Sequence, residues 1–547
     1  MEFSLAQIYD TLATTVPERE ALVFRDRRLT WADLADRVNR LANLLSEAGL
    51  GLRRERSELA HWESGQDHVA LLLHNGNAYL EGMLGAFRSR TVPVNVNYRF
   101  VESELLHILQ DSEARALVFH ARFAEVVERL APKLPHLTLL LQVDDGSGGA
   151  RVSGAVDYEA ALAAAPATPS RSDWSPDDLY LTYTGGTTGM PRAVLWRQAD
   201  ILLANMNGRA EDGTPIETLE AFVDRARASS IRVLTAAPFM HVAGHAAALG
   251  MWCAGGTVVI PDTVDRFDPV SILESIERER VTFIVLVGDA MARPLIDTMR
   301  STSFDLSSLQ LIVSGGAALS ARAKEELVAH LPHVMVVEGV GSSETGGQAS
   351  NTSGRAIGVS RGAFSIGPGT ALLDESRTGL LPSDDATGEI GWLARSGAIP
   401  LGYLGDPEKT RQTMIEVDGT RYVVPGDRAR WRDGGELEFL GRESTTINTG
   451  GEKVFAEEVE AVLLAHPDVR DAAVAGRPDP RLGHQVVAVV ALADGAYASE
   501  LELVAWCAKE LARFKLPRRI LFRNEIERGA TGKIDLPWLR RTVGEEE

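Results

Sequence analysis

Residues 268–288 restrict the fold more than any other stretch, because one complete structural unit is spelled out there. Asp268 can cap a helix whose first residue is Pro269, and Ile272, Leu273 and Ile276 fall on one face of it. Residues 281–287 then form an unbroken apolar run. A strand without polar alternation is buried on both faces, which belongs to a parallel sheet covered by helices. The pattern recurs as a strand at 309–313, a helix at 321–330 and a strand at 334–337, and earlier as a strand at 21–24, a helix at 31–48, a strand at 69–73 and a helix at 79–87. Such alternation predicts an α/β fold with mixed, mostly parallel sheets. Residues 53–67, 144–154 and 160–170 read as loops or linkers, the last two Gly- or Ala/Pro-rich.

At 547 residues the chain exceeds one ordinary core, so a large domain with a smaller companion is expected. Beyond about residue 420 the texture changes to short strands and turns, with an acidic helix at 455–466, a strand at 486–492 and a helix at 501–511. We therefore assign residues 1–440 to a large N-terminal domain and 441–547 to a small α+β domain. The stretch 234–260 is long enough to span a membrane, but it holds Pro238, His241, His245 and several glycines. A buried helix and strand beside a pocket is expected there instead, with no transmembrane segment.

Function is legible first at 183–194, Tyr-Thr-Gly-Gly-Thr-Thr-Gly-Met-Pro-Arg-Ala-Val, which follows the apolar Leu179-Tyr180-Leu181. Gly185, Gly186 and Gly189 let backbone N–H groups converge on an anion, Thr184, Thr187 and Thr188 add hydroxyls, and Arg192 adds charge. The spacing is not that of a Walker A loop, which needs Gly-Lys-Ser/Thr opening a helix. A Gly/Thr-rich surface turn is the competing reading. The formal charge of −20 argues against duplex nucleic acid as a partner while leaving room for a local basic pocket. Two cysteines, Cys253 and Cys507, lie in apolar segments, and the N-terminus lacks a basic region followed by a long apolar core. Both features lead us to expect a cytoplasmic protein; a homodimer is left open.

Four more groups carry chemistry. Residues 336–345 run from a strand into a glycine turn presenting Ser342, Ser343 and Glu344; a carboxylate beside a triphosphate needs an intervening cation, which makes Glu344 a candidate Mg²⁺ ligand or else a solvated loop residue. Asp427, after Pro425-Gly426, suits both hydroxyls of a ribose, although alone it is equally a turn residue. Gly450-Gly451-Glu452 opens the acidic helix, and Lys533 ends a flexible Arg-Gly-Ala-Thr-Gly-Lys loop, where a lysine is a solvated tail charge in most proteins.

In this order and spacing these motifs resemble the adenylate-forming superfamily of acyl- and aryl-CoA synthetases, peptide-synthetase adenylation domains and beetle luciferases. The resemblance covers nearly the whole chain, and includes Gly388 to Thr410 and Gly441-Arg442. Trp196-Arg197, residues 288–294 and Gly341-Ser342-Ser343-Glu344-Thr345-Gly346 look like the actinobacterial branch of lipid metabolism that activates fatty acids and steroid side-chain acids. The resemblance implies a ligase using ATP, Mg²⁺ and coenzyme A: a carboxylic acid attacks the α-phosphorus to give acyl-AMP, and a thiol then displaces AMP. By position it implies that residues 184–189 hold the β- and γ-phosphates and that Glu344 binds Mg²⁺. Gly315, Gly316, Ala317, Gly339, Val340, Gly341 and Ser342 border the nucleotide, and Ser343 contacts its phosphate. Asp427, with Arg442, grips the ribose. The resemblance further implies that the small domain is mobile about a hinge at Ser444 and that Gly450, Gly451 and Glu452 line the coenzyme A channel.

His241 matches a family position between nucleotide and acyl pocket, which implies a gate or carboxylate-positioning side chain; a buried structural histidine is the competing reading. Peptide-synthetase domains generally place an aspartate there to pair with an α-ammonium, so an acid lacking that group is favoured. The chain departs from the family at Arg192 for lysine, Ala193 for glycine, Val340 for an aromatic residue and Ser444 for aspartate or lysine. Two other readings stand beside the CoA ligase. One is an adenylating enzyme loading a carrier protein, although only fourteen residues follow Lys533; the other is a non-catalytic nucleotide binder. Lys533 corresponds to the lysine that bridges the attacking carboxylate and the α-phosphate, where charge builds in the transition state. Removing such a donor costs about 2.7–4 kcal/mol of barrier, a rate factor on the order of 10²–10³. Lys533→Ala is expected to abolish most adenylation yet largely spare thioester formation from supplied acyl-AMP; equal loss of both half-reactions in a single-turnover assay would refute the assignment.

Overall fold

The computed structural model describes residues 2–184, 190–360, 362–383, 386–449, 452–529 and 533–544. The helix signal at Asp268 is realised: its side chain accepts from the Ser271 N–H, and Pro269–Glu279 is helical. The strand after it, Phe283–Leu286, lies within a parallel array running Glu20–Phe24, Thr257–Ile260, Arg232–Thr235, Phe283–Leu286, Leu311–Gly315, Met335–Ser342. Residues alternate between two cores. Ile284, Leu286, Ile312 and Val336 pack against Leu295, Ile296 and Leu327. Phe283 and Val285 join Leu249, Trp252 and Phe239 on the other face. Burial on both sides is what the unbroken apolar run requires.

At Met335–Ser342 the sheet changes character. The strand Gly346–Ser353 returns antiparallel, and the sheet continues through Ala363–Ile366, Leu437–Arg442, Asp427–Trp431 and Ile390–Ser396 as an antiparallel array. A second parallel sheet orders Val92–Asn95, His68–Leu72, Ala116–His120, Leu139–Val143 and Val156–Asp157. Leu179–Thr184 and Arg192–Arg197 form an antiparallel hairpin that Gly402–Tyr403 extends. The smaller unit has its own sheet, from Ile447–Thr449 to Arg519–Phe522. Helices Ala456–Leu464 and Glu500–Cys507 cover one face of that sheet and Leu536–Gly544 the other. The large sheet runs through Arg442, and Arg322 Nη1 reaches across to the Pro467 carbonyl at 2.7 Å.

One expected loop is partly a helix. Within 160–170, the alanine run belongs to Tyr158–Ala164, started by Asp157 accepting from the Ala160 N–H and seated on the helix Trp31–Glu47 through Tyr158 and Leu162. Alanine is the best helix former, so the run is structured, not low-complexity filler. Both cysteines are buried free thiols, and no helix among the described residues is long and apolar enough to cross a membrane.

Several histidines are locked in the interior. His245 Nδ1–H donates to the Phe239 carbonyl at 2.6 Å and its Nε2 accepts from the Tyr180 hydroxyl. Burial pushes His245 down to about 4, and burial likewise holds His74 and His120 at about 4. Because these folded values lie below the ordinary 6.5, the unfolded chain takes up protons that the folded chain refuses as pH drops from 6.5 toward 4. Stability is therefore lost in that window, by up to about 1.4 kcal/mol per pH unit for a fully buried histidine such as His245. Melting curves of the wild type should fall more steeply over pH 6.5 to 4 than those of His245→Asn; parallel profiles would show that His245 titrates normally.

Candidate active site

The phosphate-loop motif joins the two strands of a hairpin, with Thr184 opposite Arg192. The expected contacts at Gly185, Gly186, Thr187, Thr188 and Gly189 lie outside the described residues, but both flanks are anchored. Helix Glu102–Asp111 holds them, since the Tyr183 hydroxyl donates to Asp111 Oδ2 at 2.6 Å and His107 Nε2–H donates to the Pro191 carbonyl at 3.1 Å. Buried Asn95 ties the loop to the segment before His241: it accepts from the Tyr183 N–H at 2.9 Å and donates to the Met240 carbonyl at 2.6 Å. Arg192 is exposed and pairs with Asp406 at 3.4 Å.

The turn after Met335–Ser342 is hydrogen-bonded within itself. The Glu344 N–H donates to Ser342 Oγ at 3.2 Å and the Ser342 N–H donates to Thr345 Oγ1 at 3.0 Å. From outside, Trp196 Nε1–H donates to the Ser343 carbonyl at 2.9 Å, and the Tyr403 hydroxyl donates to Glu344 Oε1 at 3.1 Å. Gly341 must be glycine on space alone, because a Cβ there would lie 2.2 Å from the Gly346 carbonyl oxygen. Gly315 and Gly339 are neighbours in register on adjacent parallel strands, and Gly316, Ala317 and Val340 keep solvent access beside them. Beneath them, Glu338 accepts from the Leu319 N–H at 3.0 Å and from Lys324 Nζ at 2.9 Å, securing the 315–319 segment to the strand.

Asp427 is buried and accepts from Arg442 Nε at 3.0 Å. Burial raises its pKa while Arg442 pulls it back; Asp427 in turn raises that of Arg442. Lys533 keeps solvent access inside a cleft walled by protein, and its pKa is lowered by that crowding and by Arg442, against the pull of Glu344 and Asp427. Lys533 also acts on His241, whose pKa is pushed down to about 3, chiefly by burial. His241 starts the helix Val242–Cys253, is neutral at physiological pH, and its Nε2 is buried without a hydrogen-bond partner. Lys533, Glu344, Asp427, Arg442 and His241 thus share one electrostatic environment.

Gly450 and Gly451 lie outside the described residues, and Glu452 is exposed at the start of Glu452–Val454. Ser444 is exposed in a short turn whose neighbours Thr445 and Thr446 both donate to the Arg442 carbonyl. A cavity of about 200 Å³ opens between the two units, lined by Asn75, Tyr98, Arg99, Pro238 and Arg266 on one side and Arg528 on the other. Sequence reasoning missed Asn95 and Tyr403 entirely and used Trp196 only as a mark of resemblance. Asn95, an amide ending the apolar strand Val92–Asn95, was the one available signal.

The AMP-binding enzyme family matches residues 9–404, and the AMP-binding enzyme C-terminal domain matches residues 458–533. Among curated proteins, the chain is 46% identical over 540 residues to the medium-chain acyl-CoA ligase Mig of Mycobacterium avium, covering 98% of each. It is 35% identical to the 3-oxocholest-4-en-26-oate–CoA ligase of Rhodococcus rhodochrous, covering 100% of this chain and 96% of that one. Among solved structures, ATP-bound MatB from Rhodopseudomonas palustris superposes with a TM-score of 0.81 at 25% identity, covering 99% of each chain. The chain therefore belongs to the AMP-binding enzyme family, in the adenylate-forming superfamily, and stands among its acyl-CoA ligases.

Proposed function

We propose that this protein activates a medium- to long-chain fatty acid or a steroid side-chain acid with ATP and passes the acyl group to coenzyme A. The observation that carries the reading is the electrostatic coupling of Lys533 to Glu344 and Asp427, three groups far apart in sequence that a nucleotide and a carboxylate both need. In the first step a substrate carboxylate oxygen attacks the α-phosphorus, and the bond to pyrophosphate breaks. Lys533 offers its ammonium to the oxygens where charge accumulates. Asp427 accepts from the ribose hydroxyls with Arg442 steadying its carboxylate, Ser343 meets the α-phosphate, and residues 184–189 hold the pyrophosphate end. Neutral His241 lets an apolar acid approach without a competing charge. In the second step the thiol sulfur attacks the acyl carbonyl carbon and AMP departs.

A divalent cation fits this donor set. Among the described residues no three metal-ligating side chains cluster, but Mg²⁺ commonly takes one or two carboxylates and fills its remaining positions with phosphate oxygens and water. Glu344 would hold it, and when bound it would neutralise triphosphate charge. We place the domain boundary near residue 441, the pivot at Ser444, and the coenzyme A channel at Gly450, Gly451 and Glu452. Buried, unpaired Cys253 and Cys507 support a cytoplasmic setting.

The substrate class is supported by the relatives and by half-open apolar positions along the helix that follows His241 and along Leu311–Gly315. Ala243, Ala247 and Met251 recur at four-residue spacing along Val242–Cys253, and Leu311, Val313 and Gly315 alternate along their strand, all only partly covered. A coenzyme A ligation panel across acyl length and ring-bearing acids tests the reading. Turnover is expected to peak with medium to long acyl chains or steroid side-chain acids; reaction confined to short aromatic acids would overturn the lipid assignment, and adenylation without coenzyme A consumption would point to a carrier protein.

A further inference from the structure

Behind the turn that carries Glu344 lies a charge the reaction scheme does not use. Arg395, on the strand Ile390–Ser396, is only 2% exposed, and no carboxylate pairs with it among the described residues. A buried guanidinium without a counter-ion is unfavourable unless its hydrogen bonds answer a specific need. Here Nη1 donates to the carbonyls of both Thr345 and Gly347, each at 2.6 Å, while Nε is buried without a partner. Those carbonyls flank Gly346, which sits in the left-handed region at φ +64° and is pressed against Ala204, so the turn is both unusual in conformation and confined. On the opposite flank Trp196 holds the Ser343 carbonyl, and Tyr403 holds the Glu344 carboxylate itself. Three backbone carbonyls in a five-residue turn are thereby drawn onto side chains from two distant strands.

We propose that Arg395 is a positioning residue for adenylate formation: by gripping the Thr345 and Gly347 carbonyls it fixes the turn that aims Glu344 at the nucleotide. The proposal rests on the reading of Glu344 given above. Arginine suits the task because one nitrogen carries two hydrogens that can serve two acceptors, and its charge survives burial. Burial lowers its pKa to about 10, which leaves it cationic at neutral pH.

A double-mutant cycle distinguishes positioning from general support of the fold. Acid-dependent pyrophosphate exchange is measured for Arg395→Met, Glu344→Gln and the double variant, with melting temperatures alongside; Arg395→Lys replaces Arg395→Met if the latter does not fold. If Arg395 acts through Glu344, Arg395→Met should lower kcat roughly 10- to 100-fold with little change in KM for the acid, Arg395→Lys should recover part of that loss, and the double variant should fall within about threefold of Glu344→Gln alone. Losses that multiply in the double variant, or an Arg395→Met enzyme within about threefold of wild type, would overturn the proposal. Wild-type exchange by Glu344→Gln would instead sink the reading of Glu344, and the brace with it.

Discussion

Parallel strands deliver their carboxyl ends to one edge of a sheet, and the whole site depends on that geometry. Pro238 to His241 follows Arg232–Thr235, Val287 and Gly288 follow Phe283–Leu286, Gly315 to Ala318 ends or follows Leu311–Gly315, and Gly339 to Ser342 closes Met335–Ser342. In open α/β sheets ligands settle in the crevice outside these ends, where the strand order switches. Here the switch is literal, because the next strand, Gly346–Ser353, runs antiparallel and Glu344 sits on the turn between them. A turn in that place cannot be covered by a crossover helix, so it must be braced by side chains from elsewhere.

Those braces come from the antiparallel half of the large sheet and from the hairpin. Ile390–Ser396 sends Arg395 to the turn's backbone, Gly402–Tyr403 sends Tyr403 to its carboxylate, and Arg192–Arg197 sends Trp196 to Ser343. Asp427, at the start of Asp427–Trp431, meets Arg442 at the end of the adjacent strand. The antiparallel region thus braces the edge that the parallel region builds. Lys533 completes the arrangement from the smaller unit, which Arg322 joins to the larger one through the Pro467 carbonyl.

Electrostatics explains why the groups tolerate one another. Glu344 and Asp427 would repel at close quarters, yet Arg442 and Lys533 lie in the same field with opposite sign, and the neutral state of His241 adds no further cation. The balance is local, since the chain as a whole carries −20.

Much of this was written in linear order. Helix caps such as Asp268, the apolar strand at 283–286, the helix 321–330 and the small closing unit were all legible, because each depends on local propensity and a short period of burial. The glycine motif at 183–194 stood out as a candidate because its residue types suit phosphate, whereas Lys533 stood out only through the family resemblance. The alanine run at 158–164 misled because alanine carries no amphipathic signal of its own and becomes a helix through its cap and its seat on a neighbour. What only the tertiary structure decided was partnership. Asn95 bonding across to Tyr183 and Met240, Tyr403 to Glu344, and Arg395 to the turn around Gly346 each join residues from separate strands, and a polar side chain in an apolar strand does not reveal its partner until long-range packing brings it there.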